Sequence, residues 1–391
     1  MTGKPLAGVR VLELARILAG PWVGQLLADL GADVVKVERK GAGDDTRVWG
    51  PPFVAGADGG QLSSAYYHSC NRGKRSVEAD FDQPDDIAMI RRLAGKADVL
   101  IENFKVGGLS RYGLDAASLT ALNPALIYCS ITGFGQTGPY APRAGYDFLI
   151  QGMGGAMSIT GDADGPPTKT GFAIADIFTG LYATVAILAA INRRRETGAG
   201  GVIDCALLDT QVAVNANQAL NYLVSGKVPG RMGNAHPNLV PYEVFPVADG
   251  HIIIATGNDG QYAKLCTLIG RPDLITHADF IDNKGRVTNR ARLIPMLCAA
   301  TVRFTKAELI AGLEAASVPA GPINAMDEVF ADPQVIFRAM RLDLAAPCAA
   351  EGTIPTVRSP ILIDGEPQVH RRAPPRLGEH QADVLSDPAW Q

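Results

Sequence analysis

Asp176 stands just before a long apolar run, IFTGLYATVAILAAI, and just after a glycine-rich stretch, QGMGGAMSITGDADGPPTKTG (Gln151 to Gly171). An aspartate so placed has two readings. It could cap a helix, its oxygen satisfying free amides and complementing the dipole. It could also be a nucleophile toward an acyl group, with glycine loops letting backbone amides approach the reacting carbonyl. Attack on a thioester gives a mixed anhydride. The released thiolate can then attack the aspartyl carbonyl, free the first acid and leave the aspartate as a thioester. A second carboxylate reverses the sequence. Thioester is exchanged for thioester, so no ATP is needed. No motif supports another nucleophile as well: there is no G-x-S-x-G, and Cys129 in IYCSITG reads as core.

A second set of residues could hold an anion. Arg39, Lys40 and Arg47 follow one apolar run, and Arg72, Lys74 and Arg75 come later; they flank the glycine-containing loops GAGDDTR and NRGKRS. Loops at the carboxyl ends of parallel strands are where such sheets bind ligands. Guanidinium groups grip phosphate through two bonds, so two basic loops suit a ligand with several phosphates, such as coenzyme A. The plain alternative is an ordinary basic surface. Glu38 could hold a ribose hydroxyl or be a solvated strand-end acid. The first turn, LARILAGPW, lacks G-x-G-x-x-G, which disfavours a dinucleotide dehydrogenase.

The elements that must position these residues alternate in type. GVRVLEL, ADVVKVE, ADVLIENF and ALIYCSITGFG read as strands, with helices over Gly20 to Gly31, Asp85 to Ala94 and about Ile177 to Arg193. GGVIDCALLD closes the region as a strand or helix entry, and Thr210 to Ser225 reads as a connecting helix. Strand and helix in regular order predict an α/β fold with a parallel sheet covered on both faces. PGRMGNAHPN and PAGPIN read as linkers around a second region, which starts with a hairpin turned at Asp249-Gly250.

With 391 residues, 47% of them hydrophobic and 19% charged, the chain is globular and long enough for more than one domain. The net charge of -4 offers nothing to a nucleic acid. The fully apolar run Leu181 to Ile191 is too short to span a bilayer, and charges interrupt the N-terminal apolar residues, so a cytoplasmic protein is expected. Six scattered cysteines without C-x-x-C, and six dispersed histidines without H-x-x-x-H, argue for reduced thiols and no metal.

Several segments resemble the class III CoA-transferases: PLAGVRVLELARILAGP, LGADVVKVER, GDDTR, NRGKRS, IENF, GDADGPPTKTGFAIAD, INRRRETGAGG and LGEH. They run in the right order over nearly the whole chain. The resemblance implies that Asp176 is the nucleophile. It places coenzyme A contacts at Ile17, Arg39, Arg72, Lys74, Arg75, Asn103, Phe104 and Arg111, with Tyr146 near the acyl group. It implies acyl-CoA as a substrate and no tightly bound cofactor. It also implies a large Rossmann-like domain built from both chain ends, a smaller α+β domain and an interlocked homodimer. With the linkers this divides the chain into 1–200, a linker at 201–228, a small domain at 229–325 and a return at 326–391.

Two departures narrow the chemistry. One subgroup of the family racemises α-methylacyl-CoA with a His-Asp pair, and here Tyr146 takes the histidine's place; an ordinary tyrosine is a poor base near neutrality. Oxalate-specific members carry a glutamine where this chain has Leu18, and a tetraglycine lid where it reads GNAHPNLVPY. Similarity in GDDTRVWGPPFV, RAGYD and LVPY points instead to short dicarboxylates, with succinyl-CoA as donor and an acid such as glutarate as acceptor. A distal carboxylate needs a paired cation. Arg16, Arg143, Arg231 and His236 are the candidates. The competing readings are a racemase and a non-catalytic acyl-CoA-binding protein.

Overall fold

Along each sheet strand of the chain, neighbouring apolar residues must point to opposite faces, so continuous runs require cover on both sides. A computed structural model, which describes residues 3–391, has that arrangement. Six strands form one sheet: β1 (Arg10–Glu13), β2 (Asp33–Arg39), β3 (Arg75–Ala79), β4 (Val99–Glu102), β5 (Ile127–Thr132) and β6 (Gly201–Ala206). Every pairing is parallel, in the order β3-β2-β1-β4-β5-β6. On one face Val11, Val34, Val99 and Ile127 pack beneath α1 (Ala19–Asp29) and α4 (Ile174–Thr197). On the other, Leu12, Val35, Leu100 and Tyr128 meet α2 (Pro84–Lys96), Val384 and Trp390. Trp390 is fully buried, and its indole N–H donates to Asp33 Oδ2 at 2.7 Å.

Two short helices complete the picture near the site, α3 (Asp147–Met153) and α5 (Leu207–Val214), and α6 (Ala216–Ser225) follows α5 directly. At 24 residues α4 has the length and apolarity of a membrane span. One of its faces is nevertheless core: Ala175, Thr179, Ala183, Ile187 and Ile191 are buried.

The chain divides into two compact units. The first takes in the chain up to Ala156, then Thr170–Lys227 and Pro333–Gln391; the second is Met157–Lys169 with Val228–Asp332. The second unit has its own antiparallel sheet, Tyr242–Val247, Gly250–Ala255 and Ala320–Gly321, and its own core around Phe245, Ile252, Leu265, Leu293 and Leu309.

Three boundaries differ from the sequence reading. Residues 201–228 are not a linker: Gly201–Ala206 is the sixth sheet strand, and two helices follow it in the first unit. The stretch at 157–169, with Gly161 and Gly165, belongs to the second unit, so only the two ends of the glycine-rich stretch Gln151 to Gly171 share the unit that holds Asp176. The return to the first unit begins at Pro333 and not at 326. Arg75 was expected in a loop but starts β3, pairing with Val35.

Candidate active site

The strand order reverses between β1 and β4. In a parallel sheet the crevice beyond the carboxyl ends of the strands at that point is the place for a ligand. A cavity of about 550 Å³ opens there, a size suited to a small molecule. The end of β1 leads into it with Arg16 and Ile17, and the end of β4 with Asn103 and Phe104. Asn103 ties the two loops together: its Oδ1 accepts from the Arg16 amide at 2.9 Å and its Nδ2 donates to the Arg16 carbonyl at 2.7 Å.

Ile17 holds φ at 73°. A β-branched residue adopts that conformation only when its surroundings enforce it. Its amide donates to both oxygens of Asp44 at 3.3 Å. Burial pushes the Asp44 carboxyl up, but Lys36 and the Thr46 amide outweigh it and bring it to about 2. The strained turn thus rests on the buried Asp44 carboxylate, which Lys36 pairs at 2.9 Å.

The opposite wall carries Thr132 from the end of β5, Gly133 just after it, residues of the loop from Ala141 to Tyr146, and Asp176. Gly133 and Gly145 touch backbone to backbone. A Cβ on Gly133 would lie 2.6 Å from the Gly145 Cα. The close approach needs glycine on both sides and brings the Tyr146 loop against the end of β5.

Asp176 lies within the first turn of α4, whose N-cap is Ala173, and not at the cap position. The capping is done from outside the helix. Asp147 Oδ1 accepts from the Ala175 amide at 2.8 Å and the Asp176 amide at 3.3 Å, while Oδ2 accepts from Gln151 Nε2 at 2.7 Å. The free amides that would have stabilised a charge on Asp176 are therefore engaged by a second carboxylate. Among the described residues no hydrogen-bond donor reaches the Asp176 side chain. Burial, with the charge of Asp147 added, raises its carboxyl to about 7. Such a carboxylate is more basic than usual and under-solvated, which favours attack on a carbonyl. Sequence reading found Asp176 but gave Asp147 no role here; its signal was only its place in RAGYD.

Of the residues that the resemblance singled out, Asp176, Ile17, Asn103, Phe104, Arg111 and Tyr146 all line this cavity. Phe104 stacks on Phe81 with centroids 5.7 Å apart, and Arg111 lies over Tyr112 at 4.5 Å. Arg39 does not line it. Its side chain is 60% exposed and stands 3.6 Å from Asp45, which also pairs with the cavity residue Arg16 at 2.7 Å.

Arg72, Lys74 and Arg75 are a correction. All three are buried and face carboxylates, not the cavity. Arg72 is bidentate to Asp29 at 2.9 and 2.6 Å. Lys74 is fully buried and donates to Glu13, the Pro21 carbonyl and Asn71, each within 2.9 Å. Arg75 pairs with Asp33 and Asp387. The sequence displays the cations together, but their partners are up to 312 residues away. Arg47 is likewise consumed, by Glu38 at 2.7 Å.

The four candidate partners for a distal carboxylate also separate. Arg16 and Arg143 line the cavity. Arg231 donates to the carbonyls of Asp162 and Gly165, and His236 Nδ1 accepts from two backbone amides, all within the second unit. In the segment where a racemase would need a histidine beside an aspartate, Tyr146 is exposed and Asp147 is committed to the α4 amides.

A parallel sheet with a carboxylate nucleophile candidate beside its switch-point crevice defines a class, and comparison with known proteins gives it a name. Residues 6–381 match the CoA-transferase family III, and the chain belongs to that family of enzymes. It is 56% identical over 384 residues to a succinate–glutarate CoA-transferase of Agrobacterium fabrum, covering 98% of this chain and 95% of the relative. It is 42% identical over 386 residues to the succinyl-CoA:glutarate CoA-transferase of Homo sapiens, covering 98% and 86%. Its fold is similar to the crystal structure of a CAIB/BAIF family protein from Brucella suis, with a TM-score of 0.86 and 54% identity over 99% of this chain and 100% of that one.

Proposed function

We propose that this enzyme carries coenzyme A from succinyl-CoA to glutarate or a similar short dicarboxylate through a thioester on Asp176. The observation that carries the reading is Asp176 itself: a carboxylate raised to about 7, without a donor among the described residues, in the wall of the switch-point cavity. Its oxygen attacks the thioester carbonyl, the C–S bond breaks, and a mixed anhydride and a thiolate result. The thiolate attacks the aspartyl carbonyl, succinate leaves, and Asp176 holds coenzyme A. Glutarate then runs the two steps backward. Ile17, Asn103, Phe104 and Arg111 contact the cofactor portion, with Arg39 at its rim and Tyr146 near the acyl group. The names of the two relatives support the choice of acids.

Incubation with succinyl-CoA, without acceptor, should add the mass of one coenzyme A to the peptide containing Asp176, and hydroxylamine should release it. Turnover without any such adduct, or an adduct on another residue, would remove the assignment.

The same reading includes a homodimer of interlocked chains. It is supported by apolar residues that the first unit leaves uncovered: Leu181, Tyr182 and Val185 on α4, and Leu220, Leu223 and Val224 on α6. Each set falls on one helical face by its spacing, and Val224 is 83% exposed. Leu223→Asp with Val224→Asp should halve the mass read by light scattering. A parental protein that is already monomeric at micromolar concentration refutes the pairing.

A further inference from the structure

Lining the cavity are two groups of cations that no carboxylate engages among the described residues. Lys105 and Arg111 sit on the loop after β4, beside the aromatic pair Phe81 and Phe104. Arg143 sits apart from them, on the loop that runs through Gly145 and Tyr146 into Asp147, the carboxylate that caps the helix of Asp176. Its guanidinium lies over the rings of Tyr140 at 4.5 Å and Phe134 at 5.1 Å. These two rings meet edge to face at 5.6 Å, so they form a platform that holds the group by cation–π attraction. Among the described residues no carboxylate pairs with it. Arg16, the other cation on the candidate list that borders the cavity, is already neutralised by Asp45 at 2.7 Å.

The substrate has two anionic ends as well. The phosphates of coenzyme A lie far from the thioester, at the end of a long arm. The free carboxylate of a dicarboxylyl group lies only two or three methylenes from it. Since the thioester carbonyl must reach Asp176, the cation on the loop joined to Asp176's helix serves the near anion, and the Lys105–Arg111 loop serves the far one. Arg143 is exposed at the cavity edge, and its guanidinium offers an incoming carboxylate two parallel bonds. Resting on the proposed transfer between dicarboxylates, we infer that Arg143 binds the distal carboxylate of both donor and acceptor and makes the enzyme select dicarboxylates over monocarboxylates.

The test compares succinyl-CoA with butyryl-CoA, which has the same chain length but no distal charge, as donors for the Asp176 adduct. Free coenzyme A serves as inhibitor in the same assays. In Arg143→Gln the kcat/KM ratio of succinyl-CoA to butyryl-CoA should fall by about 10- to 150-fold, the worth of a charge-assisted bond. Arg143→Lys should restore part of it, and inhibition by free coenzyme A should not change. A variant that keeps the parental ratio overturns the assignment while leaving the transfer itself intact. Equal weakening of both donors and of free coenzyme A overturns it too, by making Arg143 a phosphate contact. A parental enzyme that shows no preference for succinyl-CoA removes the dicarboxylate reading on which the assignment stands.

Discussion

Asp176→Asn should fold, bind acyl-CoA and transfer no coenzyme A, with kcat/KM lower by a factor on the order of 10⁴ or more, the scale of losing a nucleophile. The amide has the shape of the carboxyl but cannot form the anhydride. The pH dependence makes the expectation sharper. Only ionised Asp176 attacks, so the parental kcat/KM should climb with pH and level off above about 7, where the carboxyl titrates. Asp147→Asn keeps an oxygen to accept from the Ala175 and Asp176 amides but removes the neighbouring charge. Its rising limb should move to lower pH. An unmoved limb would mean that burial alone sets the value.

Asp176→Asn should change stability in the opposite sense to activity. The folded carboxyl binds its proton more tightly than an unfolded one, whose ordinary value is 3.8. The contribution Asp176 makes to folding is therefore fully present below about pH 4 and is lost as pH rises through about 7. Asparagine carries no charge at any pH. At pH 8 the variant should be more stable than the parent by about 1–3 kcal/mol, the shift discounted for partial exposure, and at pH 4 the two should match. Denaturant midpoints at the two pH values measure the difference. A variant less stable at pH 8 would show that Asp176 is a structural residue.

Lys74→Met should cost about 3–5 kcal/mol of stability and leave the KM for acyl-CoA of the folded protein unchanged. Glu13 lies between Lys74 and Lys36, and Lys36 is shared with Asp44 at 2.9 Å; all four side chains are buried. Removing one cation leaves the buried cluster with an excess negative charge. Removing Glu13 as well, with Glu13→Gln, leaves the Lys36–Asp44 pair balanced and should recover much of the loss, a coupling that a double-mutant cycle reads directly. A stable Lys74→Met protein with a raised KM would return Lys74 to the phosphate site.

These residues also mark where reading a sequence stops. Strands such as Val34, Val35 and Val37, or Val99 to Ile101, are legible because apolar runs bounded by turns have few other fates. The strand Arg75–Ala79 was not, because its charged residues look solvated until Asp33 and Asp387 are brought beside Arg75 by the fold. Asp176 was legible from its place before an apolar helix. Its raised carboxyl was not, since the residue that occupies the helix's free amides and adds its charge is Asp147, 29 positions earlier. Basic residues could be counted, but whether each meets a carboxylate depends on contacts of long range. That is why Arg143, unremarkable among four candidates in the sequence, stands out in the cavity.

Trp390 sets a condition on how the molecule is made. Its ring fills the sheet face around Leu12 and Val35, which precede the second unit in the chain, yet the whole second unit emerges from the ribosome before it does. Until then the strands of the first unit wait with one layer unfinished. The second unit, whose core is drawn from residues that emerge earlier, can mature first, and a nascent chain stalled before Trp390 would leave the apolar sheet face beside α2 incompletely covered and accessible to chaperones.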